Sequence, residues 1–175
     1  LVYEKMMSVA YQSHPYRRPI ICWMNDLENM SVGDAQEWYD RWYAPNNAVL
    51  VLVGDVDPKE VYSLAQKYYG EIKSRPIASL ALRKPQTEVT QAGIKRLQIK
   101  APAQMPYLVM GYHAPVLHDA SADWEPYALQ MLVGVLDGNG SARLNKELVR
   151  NQQIASSINA EYDSTVRGLG MFFLS

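Results

Sequence analysis

The chain predicts an α+β fold in which one mixed segment is joined by an aperiodic stretch to a second. Three observations predict it. Ala48–Val53 is an unbroken, β-branched apolar run between two helical patterns, the mark of a strand buried on both faces. From Lys73 to Gly93 the periodicity dissolves into Ser, Pro, Arg, Lys, Gln and Thr, and a patternless stretch of about 20 residues more often joins two units than lies inside one. Beyond it, strands and helices are interleaved without the regular rhythm of a parallel sheet. The 175 residues are 48% hydrophobic and 20% charged, enough apolar surface to offset the entropy of folding, so disorder is excluded as the main state. Seventeen basic against eighteen acidic side chains leave a net charge of −1, which argues against a nucleic-acid or anionic-membrane binder. No apolar run approaches the roughly 18 residues of a membrane span.

Leu1 to about Tyr11 carries Val2, Met6, Val9 and Ala10 at helical spacing. The prolines of His14-Pro15-Tyr16-Arg17-Arg18-Pro19 stop that helix, because each disfavours helix in the residue before it. Ser31 then opens a helix with a capping box completed by Asp34 and a stripe of Ala35, Trp38, Tyr39 and Trp42. Ala44-Pro45-Asn46-Asn47 turns the chain into the Ala48–Val53 strand. Asp57 as N-cap, Pro58 at the first helical position and Glu60 mark the next helix, with Val61, Leu64, Ala65 and Tyr68 facing a core and Gly70 as the stop.

Past the aperiodic stretch, strands are predicted near Ile94–Ile99 and Tyr107–His113. Asp123 or Ser121 is expected to cap a helix reaching Leu136, whose apolar residues from Trp124 onward cover nearly its whole circumference and predict burial. Asp137-Gly138-Asn139-Gly140 breaks it and Ser141 starts another helix with Leu144, Leu148 and Val149. Strands near Ile154–Tyr162 and Leu169–Leu174 follow, joined by a turn at Arg167-Gly168. Leu1 is not a Met and both ends fall inside elements, so the chain is expected to be a piece of a longer protein.

The residues that could carry chemistry do not assemble into a self-contained site by sequence. His14, His113 and His118 form no HExxH or HxxEH pattern, the helical zinc signatures of peptidases. His113, His118 and Asp119 could converge on a loop, but their spacing spans Pro115 and sets no geometry. Ser141 lacks the glycine pattern of a nucleophile elbow and reads as a cap. Cys22 reads as an inert, partly buried thiol, and Gly138 and Gly140 as a helix–helix turn. Asp55–Asp57 and Asp26–Glu28 read as caps and turns, and Trp38-Tyr39-Trp42-Tyr43 as core rather than a stacking platform for bases or sugars.

One resemblance runs through the same residues. His14-Pro15-Tyr16, the string Pro19 to Met30, Trp42-Tyr43-Ala44-Pro45-Asn46-Asn47, Val53-Gly54-Asp55-Val56 and Tyr68-Tyr69-Gly70-Glu71-Ile72 resemble the M16 zinc peptidases (insulinase-like, pitrilysin-related), above all the smaller bacterial members. Pro106-Tyr107-Leu108, Ala114-Pro115, Leu136-Asp137-Gly138 and Ser141-Ala142-Arg143-Leu144 continue it in order. One departure is Cys22, where the family usually carries Gly.

The resemblance implies the end of one metallopeptidase-like α/β roll (1–73), a linker (74–93) and the start of a second, related half-domain (94–175). Family members hold zinc through an inverted HxxEH and a downstream Glu, the motif Glu acting as general base. The resemblance puts these before the region matched by Leu1, and the substrate-clamping Arg and Tyr past Ser175. No catalytic or metal-ligating residue is therefore expected in this chain, no substrate-binding residue is assigned, and zinc belongs to the parent. The implied function is scaffold and chamber wall of a zinc metalloendopeptidase that hydrolyses unfolded peptides, the chain alone being inactive. The alternative is part of an inactive partner or structural subunit that binds peptides or assembles without hydrolysis. A homo- or heterodimer with another such chain, and a periplasmic or exported setting, are further expectations from the resemblance alone.

Overall fold

Three short strands pair late in the chain, two of alternating pattern and the third, Gly170–Leu174, a nearly continuous apolar run suited to the middle position. Strand β1 (Met110–Ala114), β2 (Ala160–Tyr162) and β3 (Gly170–Leu174) form an antiparallel sheet in the order β1-β3-β2. The structure, a computed structural model, describes residues 1–77 and 86–175. By contact it forms two compact units, Leu1–Pro19 with Gln86–Ser175, and Ile20–Pro85. The register sets Tyr112 opposite Phe172 and Phe172 opposite Tyr162, while Gly111, Phe173 and Glu161 share the other face.

Both faces of this sheet are used. On one, buried Ala114, Ala160 and Phe172 pack with Leu129, Val133 and Leu136 of helix α5 (Glu125–Asp137). On the other, helix α1 (Val2–Ala10) sets Tyr3 5.7 Å from the Phe173 ring. A Cβ on Gly111 would lie 2.4 Å from the Met6 terminal carbon, so the missing side chain is what lets α1 approach β1. Burial, and secondarily the charge of Glu161, raise the Tyr3 hydroxyl above the usual phenol range.

The end of α5 is tied down by Asp137, whose carboxylate accepts from the Ala160 backbone N–H at 3.0 Å and from the Asn145 amide at 2.8 Å. A π-helical segment, Asn145–Asn151, follows, widened by the Gln152 N–H reaching the Glu147 carbonyl. Neither Ser121 nor Asp123 caps α5 as expected. Its N-cap is Trp124, with no side-chain cap, because the Asp123 carboxylate is taken up by the backbone N–H groups of His118 and Asp119. Ser141 likewise does not cap; its own N–H donates to Asn139 Oδ1.

Burial all round α5 is also corrected: Trp124 is 70% and Met131 71% exposed, since the helix meets one sheet face and nothing described lies over the other side. The expected strand at Ile94–Ile99 is irregular, and Ile154–Tyr162 is strand only from Ala160. Part of the expected linker, residues 78–85, lies outside the described residues. Among the described residues no helix is long and apolar enough to cross a membrane.

The other unit carries the short helix α2 (Met24–Asn29), absent from the sequence expectation, then α3 (Val32–Trp42) and α4 (Pro58–Tyr69). Local signals hold here. Ser31 and Asp34 close a reciprocal capping box, and the Asp57 side chain accepts from the Lys59 N–H. Long-range ones do not. Ala48–Val53 forms no strand, and Val49 and Val53 are 90% and 95% exposed, because a strand needs a neighbour to take its backbone groups and none pairs with it among the described residues. Without that sheet, α4 buries none of its residues, and Leu64 and Tyr68 of its apolar stripe are exposed.

Cys22 is exposed, not partly buried, and sits at φ 69°, in the left-handed region where glycine is favoured. That conformation gives a physical reason for glycine at this point in the family it resembles. Cys22→Gly is expected to stabilise the Ile20–Pro85 unit by about 0.5–1 kcal/mol, relief of the left-handed strain exceeding glycine's entropic cost. A higher urea midpoint for this unit at unchanged slope checks it.

Candidate functional site

Polar and aromatic side chains gather where α1 ends. Tyr11, at the C-cap of that helix, is 1% exposed and its hydroxyl donates to the Leu169 carbonyl at 2.7 Å. Around its ring stand His14 at 5.6 Å, Tyr16 at 5.9 Å and His113 of β1 at 5.1 Å between centroids. Two of the three histidines therefore flank one tyrosine. His14 is buried and its Nδ1 accepts from the Tyr16 N–H, while a Cβ on Gly168 would lie 2.6 Å from its Nε2. The turn at Arg167-Gly168 is thus pressed against the imidazole, and the Arg167 N–H donates to the Tyr16 hydroxyl at 2.8 Å. Burial raises the Tyr11 hydroxyl well above the usual phenol range, with Tyr16, Tyr3 and Glu88 adding to it, so the hydroxyl keeps the proton it donates to Leu169.

Glu88 closes the cluster from outside. Its Oε1 accepts the Gln12 N–H at 2.7 Å; its Oε2 accepts the N–H groups of Ser13 at 3.0 Å and His14 at 2.8 Å, and the Ser13 hydroxyl at 3.3 Å. Partial burial pushes this carboxyl upward, but the His14, Gln12 and Ser13 donors outweigh it and bring it down to about 2. A carboxyl held below its unfolded value near 4.5 contributes stability that is complete above that pH and lost as pH falls toward 2. Every tenfold change in acidity is worth about 1.4 kcal/mol, and solvent screening at this partly exposed group reduces the total to about 1–2 kcal/mol. Acid titration of the wild type against Glu88→Gln, followed by near-ultraviolet circular dichroism, is expected to show the variant lacking that increment of acid sensitivity.

The other sequence candidates lie apart. His118 is exposed on the loop after β1, and Asp119 accepts from the Ser121 N–H and hydroxyl, so that His113, His118 and Asp119 do not converge on one point. Among the described residues no three His, Cys, Asp or Glu side chains form a group able to hold a metal ion. His113 Nε2 is buried with no hydrogen-bond partner. Gly138 is the C-cap of α5, and Asp26 accepts from the Trp23 N–H at 3.3 Å. Trp38, Tyr39 and Tyr43 are 48–58% exposed rather than core, Tyr39 stacking on Tyr43 at 4.8 Å. The cluster holds its polar atoms in place through bonds to backbone groups. Glu88 was not singled out from sequence: it falls in the stretch read as linker, and its partners are 74–76 residues away.

Residues 29–175 match the family model described as the peptidase M16 inactive domain. The zinc protease PqqE of Helicobacter pylori is 25% identical over 159 residues, which is 89% of this chain and 34% of that protein. An uncharacterized zinc protease of Mycobacterium leprae is 25% identical over 161 residues, 91% of this chain and 35% of its own length. The crystal structure of a protease from Helicobacter pylori superposes with a TM-score of 0.84 at 25% identity, covering 98% of this chain and 40% of that one. The chain thus spans about a third of the length of the curated relatives it matches.

Proposed function

The chain belongs to the M16 peptidase family, and from that premise we propose that it serves a zinc metalloendopeptidase acting on unfolded peptides, as scaffold and substrate-chamber wall. The observation that carries this reading is the agreement of nearly the whole chain with less than half of a crystallised protease. Zinc does not fit the residues here. His14 lends its Nδ1 to a backbone N–H, half-buried His113 packs against Tyr11, His118 stands apart, and no donor group of three forms among the described residues. The metal and its ligands belong to the rest of the parent.

On this reading residues 1–73 and 94–175 are parts of two related α/β rolls with 74–93 between them. The exposed run Ala48–Val53 and the outer face of α5 are surfaces that neighbouring parts of the parent cover. β1, an edge strand, suits addition of an extended peptide as a further strand, the mode in which backbone hydrogen bonds supply affinity without demanding a sequence. Pairing with a second M16-like chain belongs to the same proposal.

A second reading, an inactive partner subunit that binds peptides without cutting them, is favoured by the matched model being that of an inactive domain. One experiment separates the two. The longer protein containing this chain is purified with zinc and given a quenched fluorescent unfolded peptide, in parallel with residues 1–175 alone. Cleavage by the longer protein only, abolished by chelator, is the expected result. A longer protein that binds the peptide without cutting it supports the partner reading; cleavage by residues 1–175 alone overturns both.

A further inference from the structure

The Glu88 contact differs from an ordinary surface hydrogen bond in its receptor. The α1 ladder ends with the Tyr11 N–H on the Met7 carbonyl, and the next three backbone N–H groups, those of Gln12, Ser13 and His14, all turn to one carboxylate. Successive N–H groups converging on an anion make a nest, a receptor built from backbone and therefore indifferent to which carboxylate fills it. The Ser13 side chain works on the same segment, donating to the Thr87 carbonyl at 2.6 Å and to Glu88 Oε2. The His14 imidazole takes no part, its Nδ1 being engaged by Tyr16. A second clasp lies nearby, where Lys95 Nζ donates to the Val9 carbonyl at 2.9 Å at the negative end of the α1 dipole. The segment carrying Glu88 and Lys95 is thus held against α1 by one anion on donors and one cation on an acceptor.

We propose that Gln12–Ser13–His14 is a carboxylate-binding nest and that Glu88 is its tethered, displaceable occupant, a latch that pins residues 86–95 to the end of α1. The occupant arrives from a separate part of the chain, so its advantage over a free carboxylate is one of effective concentration rather than of special contacts. Remove the tethered group and a small carboxylate in solution takes its place.

Amide hydrogen exchange on the 175-residue chain at constant neutral pH tests this, comparing wild type, Glu88→Ala and Glu88→Gln with sodium acetate or with sodium chloride at equal ionic strength. In Glu88→Ala, exchange at Gln12, Ser13 and His14 is expected to rise by about tenfold or more, as local opening without a global change. The β3 amides of Met171 and Phe172 stay protected as the folding control. Acetate restores protection at the three amides of Glu88→Ala, chloride does not, and neither changes the wild type. Unchanged protection in both variants overturns the proposal, as does acetate acting no better than chloride. Loss of β3 protection in Glu88→Gln as well as Glu88→Ala also overturns it, since Glu88 would then be part of the fold and not a latch. No peptidase activity is read, so a negative result leaves the family-based function standing.

Discussion

Phe172→Ala is expected to destabilise the sheet-bearing unit by about 3–5 kcal/mol, the range for emptying a buried aromatic site. The ring is 6% exposed and lies at the centre of β3, the middle strand, against Ala114, Ala160 and the inner residues of α5. It also stacks on Tyr162 at 6.2 Å and 25°. Ala114 and Ala160 are too small to fill the space left behind, and β3 is held by ladders on both sides, so collapse around the cavity is limited. Since most domains are stable by only about 5–15 kcal/mol, the loss removes a large part of the total. Denaturant titration followed by circular dichroism measures it. Phe172→Leu, which keeps most of the volume, is expected to cost about 1–2 kcal/mol.

Tyr11→Ala is expected to cost a similar amount, about 3–4 kcal/mol, by a different route. Its side chain is both the apolar plug between α1 and β1 and the donor to the Leu169 carbonyl. Tyr11→Phe separates the two. It keeps the ring contacts with His14, Tyr16 and His113 and removes only the hydroxyl, so its cost is about 1 kcal/mol, plus the penalty of a carbonyl left without that donor. A phenylalanine variant as damaged as the alanine variant would show that the polar bond, and not packing, holds α1 to the sheet.

Sequence reasoning read the elements whose cause is local. Ser31 with Asp34, Asp57 with Pro58, and the prolines after His14 act within one turn, and each ended or began its element where expected. The end of the chain was legible for a related reason: Leu169–Leu174 is a short apolar run directly after the turn at Arg167-Gly168, and β3 lies there. What failed depended on partners. Ala48–Val53 has every local attribute of a central strand, yet a ladder is a property of two segments and composition cannot supply the second. The same holds for α5, whose all-round hydrophobicity predicts two covering surfaces where the described residues provide one.

The site was less legible still. His14 was visible through the His14-Pro15-Tyr16 string, but nothing in sequence brings His113 to the same tyrosine, or Glu88 to three backbone donors. Backbone N–H groups have no residue identity to recognise, so a nest is silent in sequence. Cys22 was read by its side chain, when its φ of 69° is what sets it apart.

The proposal that residues 1–175 contribute no zinc ligand, the metal being held elsewhere in the parent, is tested most directly by metal stoichiometry. Purified chain of residues 1–175 is loaded with excess zinc, dialysed against a weak chelator and analysed by elemental mass spectrometry. Zinc is expected far below one equivalent per chain, with no change when His14, His113 and His118 are replaced together by Gln. One equivalent of zinc retained per chain, and lost in that triple variant, would contradict it.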